Sequence, residues 1–278
     1  MTGWLVYSPD GYALNRWFAD RLVEQAAARG LTLELRLMAE GEGLPSAARP
    51  DFVVMRTIRP DLSAMLEARG VRVFNNATTA RVANDKWATF LLARELDLPV
   101  LDTVAFTWPE QPPSYPRVVK TPDGHGGSEV FFVRNDREME VVVQKTGKRT
   151  FVAQPLCDEP GIDMRVYVLG GEPLAAVRRT SQTDFRSNFK LGGSVVVERP
   201  SPEQIGIVRR LQGHLACDFV GVDFIRHGGR WILNEIEDVV GTRMLYATTD
   251  LDAARLLVDH IVTRMQVHFC QFDRSTGA

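Results

Sequence analysis

Cysteine is scarce. The 278-residue chain holds three, Cys157, Cys217 and Cys270, odd in number and far apart. That excludes a disulfide framework and a CxxC metal or redox motif, and leaves the thiols as reduced packing residues. A surplus of charge is also missing, since 33 Lys and Arg face 35 Asp and Glu for a net charge of -2. No global field recruits nucleic acid or an anionic membrane, so any polyanion must be met by a local cluster. No stretch approaches the roughly 18 apolar residues of a membrane span. Met1 to Asp10 holds only the short apolar run Trp4 to Tyr7, without a cationic flank, so a cytoplasmic protein is expected. Internal repeats, low-complexity segments, GxxxxGK[ST] and a helix-opening GxGxxG are all absent, as is a convincing Ser/His/Asp or Cys/His set. What is present is ordinary for a soluble globular protein: 45% apolar and 24% charged residues, enough chain for one large domain or two small ones.

The first seventy-odd residues alternate short apolar runs with helical patterns. Strands are expected at Trp4 to Tyr7, at the alternating Leu31, Leu33, Leu35 and Leu37, at Phe52 to Met55 and at Val71 to Phe74. Helices are expected at Ala13 to Arg29 and Pro60 to Arg69, each followed by a glycine suited to a left-handed C-terminal position. In such units ligand crevices form at strand C-terminal ends, making Ser8 to Tyr12 and Arg56 to Arg59 candidate site loops. Asn84 to Leu96 reads as a helix opening on Asn or Asp. Four prolines between Trp108 and Pro116 mark a linker. Beyond it, antiparallel hairpins dominate. Asp163 to Leu169 turns at Gly170 and Gly171 into Leu174 to Val177, and Phe219 to Arg226 turns near His227 to Gly229 into Trp231 to Glu237. Ser201 and Gln204 form a capping box, with Pro202 first in its helix. A last helix covers about Asp250 to His268.

Three groups of residues carry chemistry. In VVKTPDGHGGSEVFFV, Lys120 ends a strand and Gly124, Gly126, Gly127 and Ser128 follow. A glycine-rich turn can lay backbone N–H groups over phosphate oxygens because no Cβ blocks the approach, though a plain hairpin turn has the same composition. Asp223, Glu235 and Glu237 form an acidic group on two paired strands. A three-residue turn at His227 to Gly229 would make Glu235 a same-face diagonal neighbour of Asp223, whereas a two-residue turn would split the carboxylates. Clustered carboxylates call for a divalent cation. Mg²⁺, which accepts carboxylate, water and phosphate oxygens, is the natural one, with Mn²⁺ as a substitute. The third group is basic: Arg165, Arg178, Arg179, Arg186 and Lys190, with Asn188, Gly192 and Gly193 close by. Guanidinium forks bind phosphate or carboxylate bidentately.

In order, Lys86, Lys120, the glycine loop, VAQPL, GIDMRVYV, DFRSNFKLGG, GVDFI and NEIE resemble the ATP-grasp superfamily, and within it the RimK-like carboxylate-amine ligases. The similarity runs from about Asn75 to Val262, with Asp184 to Asn188 its most specific stretch. The resemblance implies that Lys86 and Lys120 hold ATP phosphates and that Gly126, Gly127 and Ser128 belong to a mobile phosphate cover. It places Gln154 and Leu156 at adenine, Asp163 at the ribose, and Arg186 and Asn188 facing the phosphates. Asp223, Glu235 and Glu237 fall at the Mg²⁺ ligands, and Arg165 joins Arg186 and Asn188 as a catalytic candidate. Two positions depart from the family pattern: Gln154 stands for Glu, and Glu237 for Asn. A Gln carbonyl still accepts from the adenine amine. The added charge of Glu237 is offset by Arg243 or by tighter metal binding, two alternatives the sequence leaves open. The stretch DVVGTRML also replaces a small-residue turn common in relatives.

The expected fold is therefore α/β plus α+β: an ATP-grasp fold with an N-terminal α/β unit at 1–76, a helical segment and Pro-rich linker at 77–116, and ATP-grasp subdomains at 117–278. The expected activity joins a carboxylate to an amine through an acyl phosphate, releasing ADP and phosphate. The partners would be ATP, an acid and an amine, either of which could be an amino acid, a peptide or a protein. A phosphotransferase on the same scaffold and a nucleotide-binding module without catalysis are the rivals.

Overall fold

A computed structural model describes residues 1–43, 49–111, 113–182, 184–186 and 194–276, with side chains to 267. The N-terminal strands β1 (Thr2–Tyr7), β2 (Thr32–Leu37), β3 (Phe52–Met55) and β4 (Arg72–Phe74) form a parallel sheet of order β2-β1-β3-β4. Alternation divides its side chains between two cores. Leu5, Tyr7, Phe52 and Val54 meet Phe18 and Leu22 of helix α1 (Pro9–Ala27), while Trp4, Val6, Val53 and Met55 meet Leu62 and Leu66 of α2 (Pro60–Glu67). The expected loop Ser8 to Tyr12 is instead the start of α1: Ser8 caps it by accepting from the Gly11 N–H at 3.1 Å, and Pro9 fills the first turn. Arg56 is buried and donates to the Val240 carbonyl at 2.8 Å, so it anchors a loop rather than opening one.

Two short helices follow, α3 (Ala77–Ala83) and α4 (Lys86–Glu95). The sequence pattern places the start of the second at Asn84 or Asp85 and does not show the first. Asp85 is the cap, accepting from the N–H groups of Trp87 and Ala88 at 2.8 and 3.0 Å, which fixes Lys86 at the head of α4. Next come β5 (Val104–Thr107), β6 (Arg117–Lys120), β7 (Val130–Val133), α5 (Asp136–Thr146) and β8 (Thr150–Gln154). They build an antiparallel sheet of order β5-β8-β6-β7 over Phe106, Val119, Met139 and Phe151. Strand β5 lies just before the expected linker, and its four residues carry no pattern that announces it.

The third sheet contains β9 (Ile162–Leu169), β10 (Glu172–Thr180), β11 (Ser194–Glu198), β12 (Phe219–His227) and β13 (Arg230–Glu237), in the order β11-β10-β9-β12-β13. One face carries Met164, Val166, Val168, Phe224, Leu233 and Ile236 against α6 (Pro202–Leu215), whose capping box forms as expected. The other face divides along its length. Tyr167 and Val177 join the apolar core shared with α1, α7 (Arg243–Thr248) and α8 (Ala253–Thr276), and nearby Asp163, Arg165, Arg179 and Asp223 are buried charges. No helix is long and apolar enough to cross a membrane, among the described residues. Cys217 is buried and Cys157 half-buried, both as free thiols.

Candidate active site

A cleft opens between the two antiparallel sheets. Its wall includes Lys86, Lys120, Gly126, Gly127, Gln154, Leu156, Asp163, Arg186, Glu235 and Glu237, residues drawn from well separated parts of the sequence. Lys120, at the end of central strand β6, is 6% exposed and donates to Asn234 Oδ1 at 3.1 Å. Burial pushes its ammonium down to about 8, with Glu235 opposing the shift and Lys86 adding to it. Lys86 Nζ donates to the Gly124 carbonyl and lies 3.9 Å from the Glu235 carboxylate. Gly126 and Gly127 both take positive φ, +65° and +73°, which turns their backbone along the cleft mouth at no Cβ cost. Ser128 does not join them. It is exposed, and its hydroxyl donates to the His125 carbonyl at 3.0 Å within the turn.

The acidic group assembles without the three-residue turn. The β12–β13 turn is the two-residue one, with His227 opposite Arg230, and a regular ladder would then pair Asp223 with Asn234 and throw Glu235 to the other face. A β-bulge prevents this. Phe224 pairs with Leu233 and Asp223 with Glu235, so Asn234 is the extra residue. Carboxylate oxygens of Asp223, Glu235 and Glu237 thereby lie within 4.8 Å of one another, and Asn234 is turned to Lys120. Asn234 is the site residue that sequence reasoning missed. No periodic pattern announces a bulge.

Beneath the cleft floor a chain of buried ion pairs crosses the sheet. Arg179 stands opposite Asp163 and Arg165 opposite Asp223 in the ladder. Arg179 donates to both oxygens of Asp163, at 2.5 and 2.8 Å, and through Nη2 to Asp223 at 2.8 Å. Arg165 donates twice to Asp223 at 2.7 Å and once to Glu237 at 2.5 Å. Burial works to raise the Asp223 carboxyl, but the two guanidiniums overcome it and hold it at about 2. Burial also raises the Glu237 carboxyl. There Arg165 opposes the shift without cancelling it, and Asp223 and Glu235 add to it. The counter-ion of Glu237 is therefore Arg165. Arg243 donates to the Leu14 carbonyl instead.

The donor set fits a hard divalent cation. Glu235 and Glu237 face the cleft with oxygens close to one another and to Asp223, and a cation would offset both the burial that chiefly pushes Glu237 up and the neighbouring carboxylates that add to it. The basic cluster divides. Arg186 faces the cleft, bonded to Asp184 at 2.7 and 3.0 Å and to the Gly127 carbonyl at 3.0 Å. Arg178 pairs with Glu198 at 2.6 Å. Asn188 and Lys190 lie outside the described residues.

Two antiparallel sheets closing on a cleft of this kind define an ATP-grasp fold, and solved structures agree. The D-alanine–D-alanine ligase of Bacillus anthracis, solved with ATP, matches with a TM-score of 0.76 at 14% identity, over 97% of this chain and 99% of that one. A RimK domain ATP-grasp protein of Sphaerobacter thermophilus matches with a TM-score of 0.73 at 22% identity, over 94% and 100%. Residues 102–261 match the RimK-like ATP-grasp domain, and the chain belongs to that family of ATP-grasp ligases. A protein named probable alpha-L-glutamate ligase, from Stenotrophomonas maltophilia, is 28% identical over 272 residues, 87% of this chain and 92% of its own. An uncharacterized Mycoplasma pneumoniae protein is 25% identical over 269 residues, 95% of this chain and 93% of its own.

Proposed function

We propose that the protein is an ATP-dependent carboxylate-amine ligase that forms an amide through an acyl phosphate and releases ADP and phosphate. The observation that carries this reading is the single cleft in which two lysines, a glycine-rich turn and a carboxylate cluster converge. Lys86, Lys120 and the backbone of Gly126 and Gly127 face the phosphates, Gln154 and Leu156 the adenine, and Asp163 the ribose. Glu235 and Glu237, backed by Asp223, hold Mg²⁺, which when bound offsets charge on the phosphoryl group. The substrate carboxylate attacks the γ-phosphorus, ADP leaves, and an amine then displaces phosphate from the acyl carbon. Arg186 stabilises the oxyanion of that second step, while Arg165, buried beneath the cleft on Asp223 and Glu237, acts only through those carboxylates. Residues 1–76 shape the acid and amine side.

The relative named as a glutamate ligase supports an amino acid, glutamate first, as one substrate. The test is incubation with Mg·ATP and amino acids, singly and in pairs, following ADP, phosphate and product mass. Amine-dependent ADP release with a product lighter by one water than its two substrates is expected. Phosphate transfer without amide formation would overturn the reading.

A further inference from the structure

We infer that Arg179 is a positioning residue that sets the ribose-facing and metal-facing carboxylates in one register. The inference rests on the nucleotide reading above and adds to it a residue that touches neither nucleotide nor metal. Arg179 lies on β10, on the third strand from the metal-bearing β13, and is 5% exposed. Its guanidinium is bifunctional. Nε and Nη2 grip both oxygens of Asp163, which lines the cleft, and Nη2 also reaches Asp223, a member of the carboxylate cluster. Asp163 and Asp223 stand on neighbouring strands as same-face diagonal neighbours, since Asp223 pairs with Arg165 and Asp163 with Ile225, a register that leaves a gap between the two carboxylates. The planar fork spans that gap. Five fixed donors let one cation hold two carboxylates at a set spacing, which an ammonium on a flexible stem does not do.

Two consequences follow from this bridge. Asp163 is presented to the ribose hydroxyls with its rotamer locked. The charge of Arg179 is also shared, so Asp223 keeps part of its negative charge for the cation beside Glu235 and Glu237. Arg165 completes the chain on the far side by linking Asp223 to Glu237. Ribose contact and metal contact thus stand at the two ends of one rigid, buried ion chain.

The probes are ADP, 2′,3′-dideoxy-ADP and Mn²⁺. Calorimetry measures the preference for ADP over its dideoxy analogue, and electron paramagnetic resonance measures free Mn²⁺ in the ADP complex. Arg179→Lys keeps the charge and removes the fork. It is expected to cut the ribose preference and the Mn²⁺ affinity together, each about tenfold, the scale of one charged hydrogen bond. Arg178→Lys, on the opposite face and paired with Glu198, should move neither. Either quantity unchanged in a folded Arg179→Lys would overturn the bridging role. If that variant does not fold, Asp163→Asn supplies the same decision. With Asp163 neutral, Arg179 turns wholly to Asp223, and Mn²⁺ affinity should fall about fivefold although Asp163 is not a ligand. An unchanged Mn²⁺ affinity there would also overturn the proposal. Failure of the wild-type protein to bind ADP would instead overturn the nucleotide reading on which it rests.

Discussion

Lys120 shows how burial turns one residue into a proton-coupled binding group. Its ammonium is held down to about 8, so in the free protein it loses its proton as pH rises from 7 to 9. A phosphate brought against it favours the charged form and raises that value again. Nucleotide binding should therefore take up almost no proton at this site at pH 7 and close to one at pH 9. Calorimetry in buffers of different ionisation enthalpy reads the number directly, and Lys120→Arg should abolish the rise. A proton count that stays flat from pH 7 to 9 would place the phosphates elsewhere. The carboxylates differ among themselves in the same way. Glu235 is half-buried with one cation 3.9 Å away, so Glu235→Gln should stop ADP formation at a stability change within about 1 kcal/mol. Asp223→Asn should stop it too, but it leaves Arg165 and Arg179 buried with too little opposing charge and should cost about 3 to 5 kcal/mol in denaturant unfolding. Equal stability for the two variants would contradict the buried chain.

At the scale of elements, the hairpin of β12 and β13 shows how a single extra residue chooses a face. Leu233 and Ile236 point to the apolar core, and Glu235 and Glu237 to the cleft. Remove Asn234 and Leu233, Glu235, Ile236 and Glu237 alternate regularly, with Glu235 still opposite Asp223. Deletion of Asn234 should thus leave a folded protein whose Mn²⁺ affinity stays within about threefold of wild type, whereas a deletion inside a regular strand would reverse every later side chain. Complete loss of Mn²⁺ binding by a folded deletion variant would show that the bulge itself, rather than the register it restores, holds the cluster. The lost Asn234 amide would still weaken the seat of Lys120.

For the whole molecule, buried polar side chains tie the N-terminal sheet to the five-stranded sheet alongside the apolar core that the two share. Asn75 accepts from the N–H groups of Asp218 and Phe219 at 2.6 and 2.9 Å. Its amide donates to the Phe219 carbonyl at 2.8 Å and to the Asp238 carboxylate at 2.7 Å. Arg72 clasps Asp218, and Arg56 holds the Val240 carbonyl. These contacts tie the end of β4 to the start of β12 and to the loop that leaves Glu237. Asn75→Ala strands two buried N–H donors and should cost about 3 kcal/mol or more, read as a shift of the denaturant midpoint. A midpoint that does not move would mean that apolar contacts alone hold the joint.

The sequence by itself determined much of this protein. Short apolar runs placed β1 and β3, the alternating leucines placed β2, glycine turns placed β12 and β13, the capping box of Ser201 and Gln204 placed α6, and the ordered lysines, glycines and carboxylates supplied the charged part of the cleft wall. These signals are local, or they are residue types whose chemistry narrows their use. Short elements such as α3, α7, β5 and β11 escaped because a few residues carry too little periodicity to outweigh the turns around them. Only the tertiary structure decided which counter-ion meets Glu237, since Arg165 and Arg243 are equally cationic in sequence and cross-strand register brings only the first within reach. The bulge at Asn234 and the two-sided grip of Arg179 belong to the same class. Each depends on how strands far apart in sequence align, and that alignment is set by the whole sheet packing on its two cores.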